Sequence, residues 1–110
     1  MNWNKIDNEQ ALDEIIQTSY QEPVLLFKHS YRCSISSVAL SRMEKAWSQN
    51  GIKPFLIDVI NQRPISNHIA QFLNITHESP QAILLQNGEA VYNASHLEIN
   101  YKDLQDAISN

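Results

Sequence analysis

The chain has 110 residues, 43% of them hydrophobic and 18% charged, with two glycines, four prolines and a single cysteine. That is enough chain for one core without a disulfide or a metal, and too ordinary a mixture for a disordered or fibrous protein. A net charge of −4 with no cluster of Lys or Arg argues against a nucleic-acid surface, and no apolar run approaches the ~20 residues that a membrane helix needs.

The elements follow in chain order. Asp7 or Asn8 suits a helix N-cap, with Leu12, Ile15 and Ile16 next on one face. Pro23 drives its predecessor out of the helical region, so this helix ends within residues 19–22. Val24 to His29 is short, apolar and bounded by that proline, and reads as a buried strand. Ile35, Ala39, Met43, Ala46 and Trp47 then recur at helical spacing and predict a helix from about Ser34 to Trp47 with those residues inward. Asn50-Gly51 is expected to stop it, since a residue tolerant of positive φ belongs just past a helix end. Lys53 to Val59, with Phe55-Leu56-Ile57, predicts a second buried strand. Pro64 fits the first turn of a helix carrying Ile65, Ile69, Phe72 and Leu73 inward. After a loop at 74–79 and Pro80, Gln81 to Gln86 predicts a third strand. Asn87-Gly88 is a strong hairpin signal, so Glu89 to Ala94 should return antiparallel. A last helix is expected from about Asn100, with Tyr101, Leu104 and Ile108 inward.

The order α-β-α-β-α-β-β-α implies an α/β fold over residues 1–110 as a single domain. Strands separated by helices pair in parallel through right-handed crossovers, and the terminal hairpin adds antiparallel strands. The expected result is a four-stranded mixed sheet with helices on both faces. In such sheets a ligand site lies outside the C-terminal ends of the parallel strands. Cys33 follows directly after one of those ends and just before a helix.

A helix N-terminus has unsatisfied N–H groups and a positive dipole end, both of which favour a thiolate, the attacking species in thiol exchange. Arg32 is adjacent, and Lys28 and His29 lie on the strand leading in. The alternative is an inert buried cysteine, a common fate for this residue. Ser36 is three residues on, one helical turn away on the same side. It is placed to hydrogen-bond a thiolate, and Ser34 and Ser36 are equally suited to capping the first turn. His29 and Ser34 are the residues placed to tune the thiolate. His29, His68, His77 and His96 match no zinc spacing, and one cysteine completes no usual structural site, so no metal is expected. A lone cysteine, together with a start (Met1 to Asp7) that lacks an apolar signal core, points to the cytoplasm. A small acidic domain of this kind is expected to be a monomer.

The element order, the cysteine at the first strand–helix junction and the proline opening the hairpin strand together resemble the thioredoxin fold. Within it, Lys28-His29-Ser30-Tyr31-Arg32-Cys33-Ser34-Ile35-Ser36, with Glu78-Ser79-Pro80-Gln81 downstream, is similar to the YtxJ-like monothiol bacilliredoxin family. The likeness covers essentially the whole chain. That family uses a Cys-x-x-Ser site, commonly with proline after the cysteine, where Ser34 stands here. The resemblance implies a monothiol thiol–disulfide oxidoreductase with Cys33 and Ser36 as catalytic residues. It implies no bound cofactor, bacillithiol as co-substrate, and S-bacillithiolated proteins as partners. It further implies a cis peptide bond at Ser79–Pro80, with the Ser79 backbone meeting a bound thiol or peptide. Tyr31 would pack on that thiol, and Arg32 would pair with its carboxylates. Ser36 occupies the place of the second cysteine of dithiol relatives. One thiol therefore cannot complete a net reduction, and free bacillithiol or a separate redox protein must regenerate Cys33.

Two other functions compete. A monothiol glutaredoxin-like iron–sulfur carrier typically shows Cys-Gly-Phe-Ser and a Gly-Gly pair; this chain has Cys33-Ser34-Ile35-Ser36 and no Gly-Gly. A non-enzymatic thioredoxin-like binding module would leave Cys33 incidental.

Overall fold

The computed structural model describes residues 1–108. In chain order it contains β1 (Asn4–Lys5), α1 (Glu9–Thr18), β2 (Val24–His29), α2 (Ser34–Ala46), β3 (Lys53–Asp58), α3 (Arg63–Leu73), β4 (Gln81–Gln86), β5 (Glu89–Ser95), a 3₁₀ turn (His96–Glu98) and α4 (Tyr101–Asp106). The strands form one sheet in the order β1-β3-β2-β4-β5. β1, β3 and β2 run parallel, β4 runs antiparallel to β2, and β5 antiparallel to β4.

The sheet has five strands rather than four. β1 is two residues long and pairs with β3 through Asn4 and Lys5 alone, too short to leave any periodicity in the sequence. The fully buried Ile6 just after it holds this segment against the sheet edge.

β2 is the central strand and every one of its residues is buried. Strand alternation sends its side chains to two cores. Val24 and Leu26 join Ile83 and Leu85 of β4 under α1 and α3, among Leu12, Ile16, Ile65 and Ile69. Leu25 and Phe27 join Ala82 and Leu84 under α2 and α4, among Ala39, Met43 and Leu104. The same alternation fixes the last two residues of β2: Lys28 faces α3, and His29 faces α2.

Local signals set most boundaries. Asn8 is the N-cap of α1, accepting at Oδ1 from the Ala11 N–H at 2.8 Å. Asn74 closes α3 in the left-handed region at φ 55°. Asn87 and Gly88 turn the hairpin at φ 57° and 77°. Ser19 at the end of α1 holds that turn, accepting from Asn87 N–H at its carbonyl and from Gly88 N–H at its hydroxyl.

α2 departs from its expected face and end. It stops at Ala46, and Trp47 leaves in extended backbone to pack against Trp3 and Tyr101, at ring separations of 6.5 and 5.5 Å. Asn50-Gly51 instead forms the turn into β3, with the Ile52 N–H donating to Asn50 Oδ1. The buried positions of α2 are Ser36, Ala39 and Met43, while Ile35 is 43% exposed. A bond from Ser36 to the end of β2 sets this rotation, and hydrophobicity alone would have chosen Ile35. Phe72 of α3 is likewise turned outward. Among the described residues no helix is long and apolar enough to cross a membrane.

Candidate active site

Cys33 is the N-cap residue of α2, in extended backbone at φ −115° and ψ 119°. It arrives there by a tight turn after β2, closed by the Cys33 N–H donating to the Ser30 carbonyl at 3.2 Å. The N-cap is the position from which a side chain addresses the free N–H groups of a helix's first turn. Ser, Thr, Asp or Asn usually hold it; here a half-buried thiol does. Ser34 and Ser36 do not cap the helix. Ser34 is exposed at the first helical position, and Ser36 is turned inward.

Ser36 is fully buried. Its Oγ lies 2.6 Å from His29 Nδ1 and accepts from the Ser30 N–H at 2.9 Å. One hydroxyl therefore ties the first turn of α2 to the end of β2 and the start of the loop between them. The protonation of His29 decides how the Ser36 hydroxyl is used. If His29 carries its proton on Nδ1, Ser36 accepts twice and its own proton stays free. If the proton is on Nε2, Ser36 spends its proton on His29. Burial holds the His29 imidazole below its ordinary value, against the pull of the Asp58 and Glu44 carboxylates.

Tyr31 sits edge-on to His29, ring centroids 4.3 Å apart, and is 63% exposed. It also walls a cleft of about 250 Å³ lined by Lys5, Leu56, Asp58, Asn61 and Gln62. Arg32 is exposed on the same turn. The Ser79–Pro80 peptide bond is cis, and Pro80 is buried. Gln81 pairs with Lys28 in the sheet, so Pro80 opens β4 beside the strand end that delivers Cys33. The Ser79 hydroxyl is turned inward and has no hydrogen-bond partner among the described residues.

Lys28 does not flank the thiol as a local cation. It is fully buried on the opposite sheet face, donating to the Ser66 carbonyl at 3.1 Å and lying 3.3 Å from His77 Nδ1. Burial, with the nearby Arg63 charge, brings its amine down to about 8. Of these partners the sequence reading passes over Ser66 and meets His77 only as a zinc candidate; a lysine inside a run of buried strand residues is the signal for them.

A family model described as monothiol bacilliredoxin BrxC matches residues 4–104. The chain belongs to this monothiol bacilliredoxin family. A solved structure described as a candidate oxidoreductase with a thioredoxin fold superposes with a TM-score of 0.82 at 32% identity, covering 94% of this chain and 90% of its own. Thioredoxin of Fasciola hepatica matches with a TM-score of 0.73 at 13% identity, over 96% of this chain and 95% of its own. That of Trypanosoma brucei brucei matches at 0.72 and 14%, over 96% and 87%. The last two establish the thioredoxin fold alone. Family and fold together support a thiol redox function, and Cys33 is the single thiol in the chain.

In this bacilliredoxin-family chain the Cys-x-x-Ser serine is built into the scaffold. Ser36→Ala leaves the Ser30 N–H and the buried His29 Nδ1 without their shared partner. The expected loss is about 1–3 kcal/mol, read from the midpoint of denaturant unfolding. A midpoint equal to wild type would show that water replaces the hydroxyl at no cost.

Proposed function

We propose that the chain removes bacillithiol from S-bacillithiolated proteins by monothiol exchange. The Cys33 thiolate attacks the bacillithiol sulfur of a protein mixed disulfide. A new S–S bond forms to Cys33, the old one breaks, and the target protein leaves as a thiolate that takes up a proton. Cys33 then carries bacillithiol in a disulfide. An external thiol, from free bacillithiol or a separate redox protein, attacks that bacillithiol sulfur, leaves bound to it as a disulfide, and returns Cys33 to the thiolate. No cofactor is required, because the electrons come from that thiol.

The observation that carries this reading is the thiol at the N-cap of α2. The free N–H groups at the start of that helix favour the Cys33 thiolate as attacker in the first step and as leaving group in the second, while the target's own sulfur takes the electron pair that leaves in the first. Tyr31, with Ile35 and Val38 exposed on the first turns of α2, offers an apolar approach for the protein half of the mixed disulfide. Arg32, exposed on the same turn, pairs with the carboxylates of the small thiol. The Ser79 backbone, beside the β2 end, aligns the disulfide.

The test is to mix the protein with an S-bacillithiolated protein and follow both by intact mass. The expected result is loss of one bacillithiol from the target and gain of one on Cys33, discharged on adding excess bacillithiol. A target that keeps its bacillithiol and a Cys33 without adduct would leave a thioredoxin-fold binding module instead.

A further inference from the structure

A buried ammonium is costly unless its donors are used. Lys28 uses two of its three donors to join separate pieces of the fold: the Ser66 carbonyl in α3 and His77 Nδ1 in the loop before β4. Ser66 Oγ lies 3.1 Å from the same His77 nitrogen. An ammonium only donates, so Nδ1 is the acceptor and the neutral ring carries its proton on Nε2. His77 is two residues before Ser79. The other ties of this loop run elsewhere: the Thr76 carbonyl accepts from Gln81 Nε2, and the Pro80 carbonyl from the His96 N–H. The His77 tie runs to the strand that delivers Cys33. Adjacent residues of β2 thus serve the two halves of the site from opposite faces. His29 holds Ser36 below the Cys33 turn, and Lys28 holds the loop that carries Ser79 and Pro80.

We propose that Lys28 and Ser66, acting through His77, are positioning residues that hold the Ser79–Pro80 segment in register with Cys33, and that protonation of His77 releases it. The effect on rate rests on the exchange reaction proposed above; the brace itself does not. Protonating Nδ1 removes the shared acceptor and sets a second cation beside Lys28. The charged groups facing His77 are Lys28 from β2, Arg63 from α3 and Glu78 from its own loop. Burial, Lys28 and Arg63 hold the imidazole low against the pull of Glu78, whose carboxylate is also drawn to His96 Nε2 at 3.7 Å.

The test measures amide hydrogen-exchange protection by NMR between pH 5 and 7.5 in the full chain, at Gln81 and at His96, whose N–H donates to the Pro80 carbonyl. It compares wild type, His77→Phe and His77→Asn, whose side-chain oxygen replaces the Nδ1 acceptor but does not titrate. Bacillithiol transfer and Cys33 alkylation by iodoacetamide are followed in parallel. In wild type, protection at both amides should fall about tenfold on acidification, a local opening, while the core amides of Leu26 and Ile83 keep theirs. His77→Phe should lack that protection at every pH and show a raised KM for transfer with little change in alkylation. His77→Asn should restore both and abolish the pH dependence. Protection indifferent to pH in wild type, or lost equally in core amides, overturns the brace. Should His77→Phe fail to fold, wild type against His77→Asn decides. If transfer is absent but protection follows this pattern, the brace stands and the exchange reading fails.

Discussion

Replacing Cys33 with serine is expected to reduce thiol transfer to the uncatalysed background while leaving the fold at least as stable as wild type. The chain has no other sulfur nucleophile, since its remaining sulfur atoms are those of two methionines. A serine hydroxyl forms no disulfide, so neither half of the exchange has a substitute. Stability moves the other way because of where Cys33 sits. It holds the N-cap of α2 without a side-chain capping bond, and serine is among the preferred N-caps, with an oxygen that accepts from the first-turn N–H groups. A gain of up to about 1 kcal/mol follows. The two readouts are intact mass of the target after mixing and the thermal midpoint of the variant. Transfer that persists in Cys33→Ser would place the chemistry outside this thiol. A midpoint several degrees lower would show that the sulfur packs where the structure leaves it half-exposed. Opposed directions are what the proposed role implies: a weaker cap kept at that position in exchange for a nucleophile at the start of a helix.

Most of the architecture was legible because it is written in short-range signals. Pro23, the apolar run of β2, Pro64 and Asn87-Gly88 act over a few residues, and the helices and central strands follow them closely. β1 was not legible, because two residues carry no period and its pairing to Phe55 and Leu56 is settled across the fold. The face of α2 was misread for a physical reason. Ile35 and Ser36 are neighbours, and hydrophobicity favours Ile35 inward. The buried His29 and the Ser30 N–H both need a polar partner, and Ser36 supplies it. Satisfying buried polar groups overrides one exposed isoleucine. Cys33 was legible as a junction residue from element order. Closeness in sequence alone puts Lys28 beside the thiol. Strand alternation from the buried Phe27 puts it on the far face, and its contact to His77 spans 49 residues, beyond the reach of any local pattern.

Stability is expected to climb with pH between about 8 and 10.5, and Lys28 is the source of the climb. Its amine is brought from 10.5 to about 8, first by burial and then by the Arg63 charge. The folded protein therefore binds fewer protons than the unfolded chain across that window, and stability rises wherever the unfolded state binds more. Below pH 8 the folded state carries the whole penalty of a buried ammonium; above 10.5 it carries none. A displacement of this size corresponds to about 3 kcal/mol. Lys28→Met removes the titrating group while keeping most of the side-chain volume. The measurement is the unfolding free energy of both proteins at intervals from pH 7 to 11, taken as a difference so that the tyrosines common to both cancel. The wild-type curve should rise relative to the variant through the window and level off above it. A flat difference would mean that Lys28 is solvated through an opening the structure lacks. A falling difference would mean that the ammonium is stabilised in place by a buried anion. The imidazoles of His29 and His77, also held below their ordinary 6.5, act at the other end of the scale, where stability should be lost as pH falls below about 6.5. At neutral pH the fold thus keeps both imidazoles uncharged while still carrying the Lys28 charge, the one condition in which an ammonium donor and an imidazole acceptor hold the loop before β4 together.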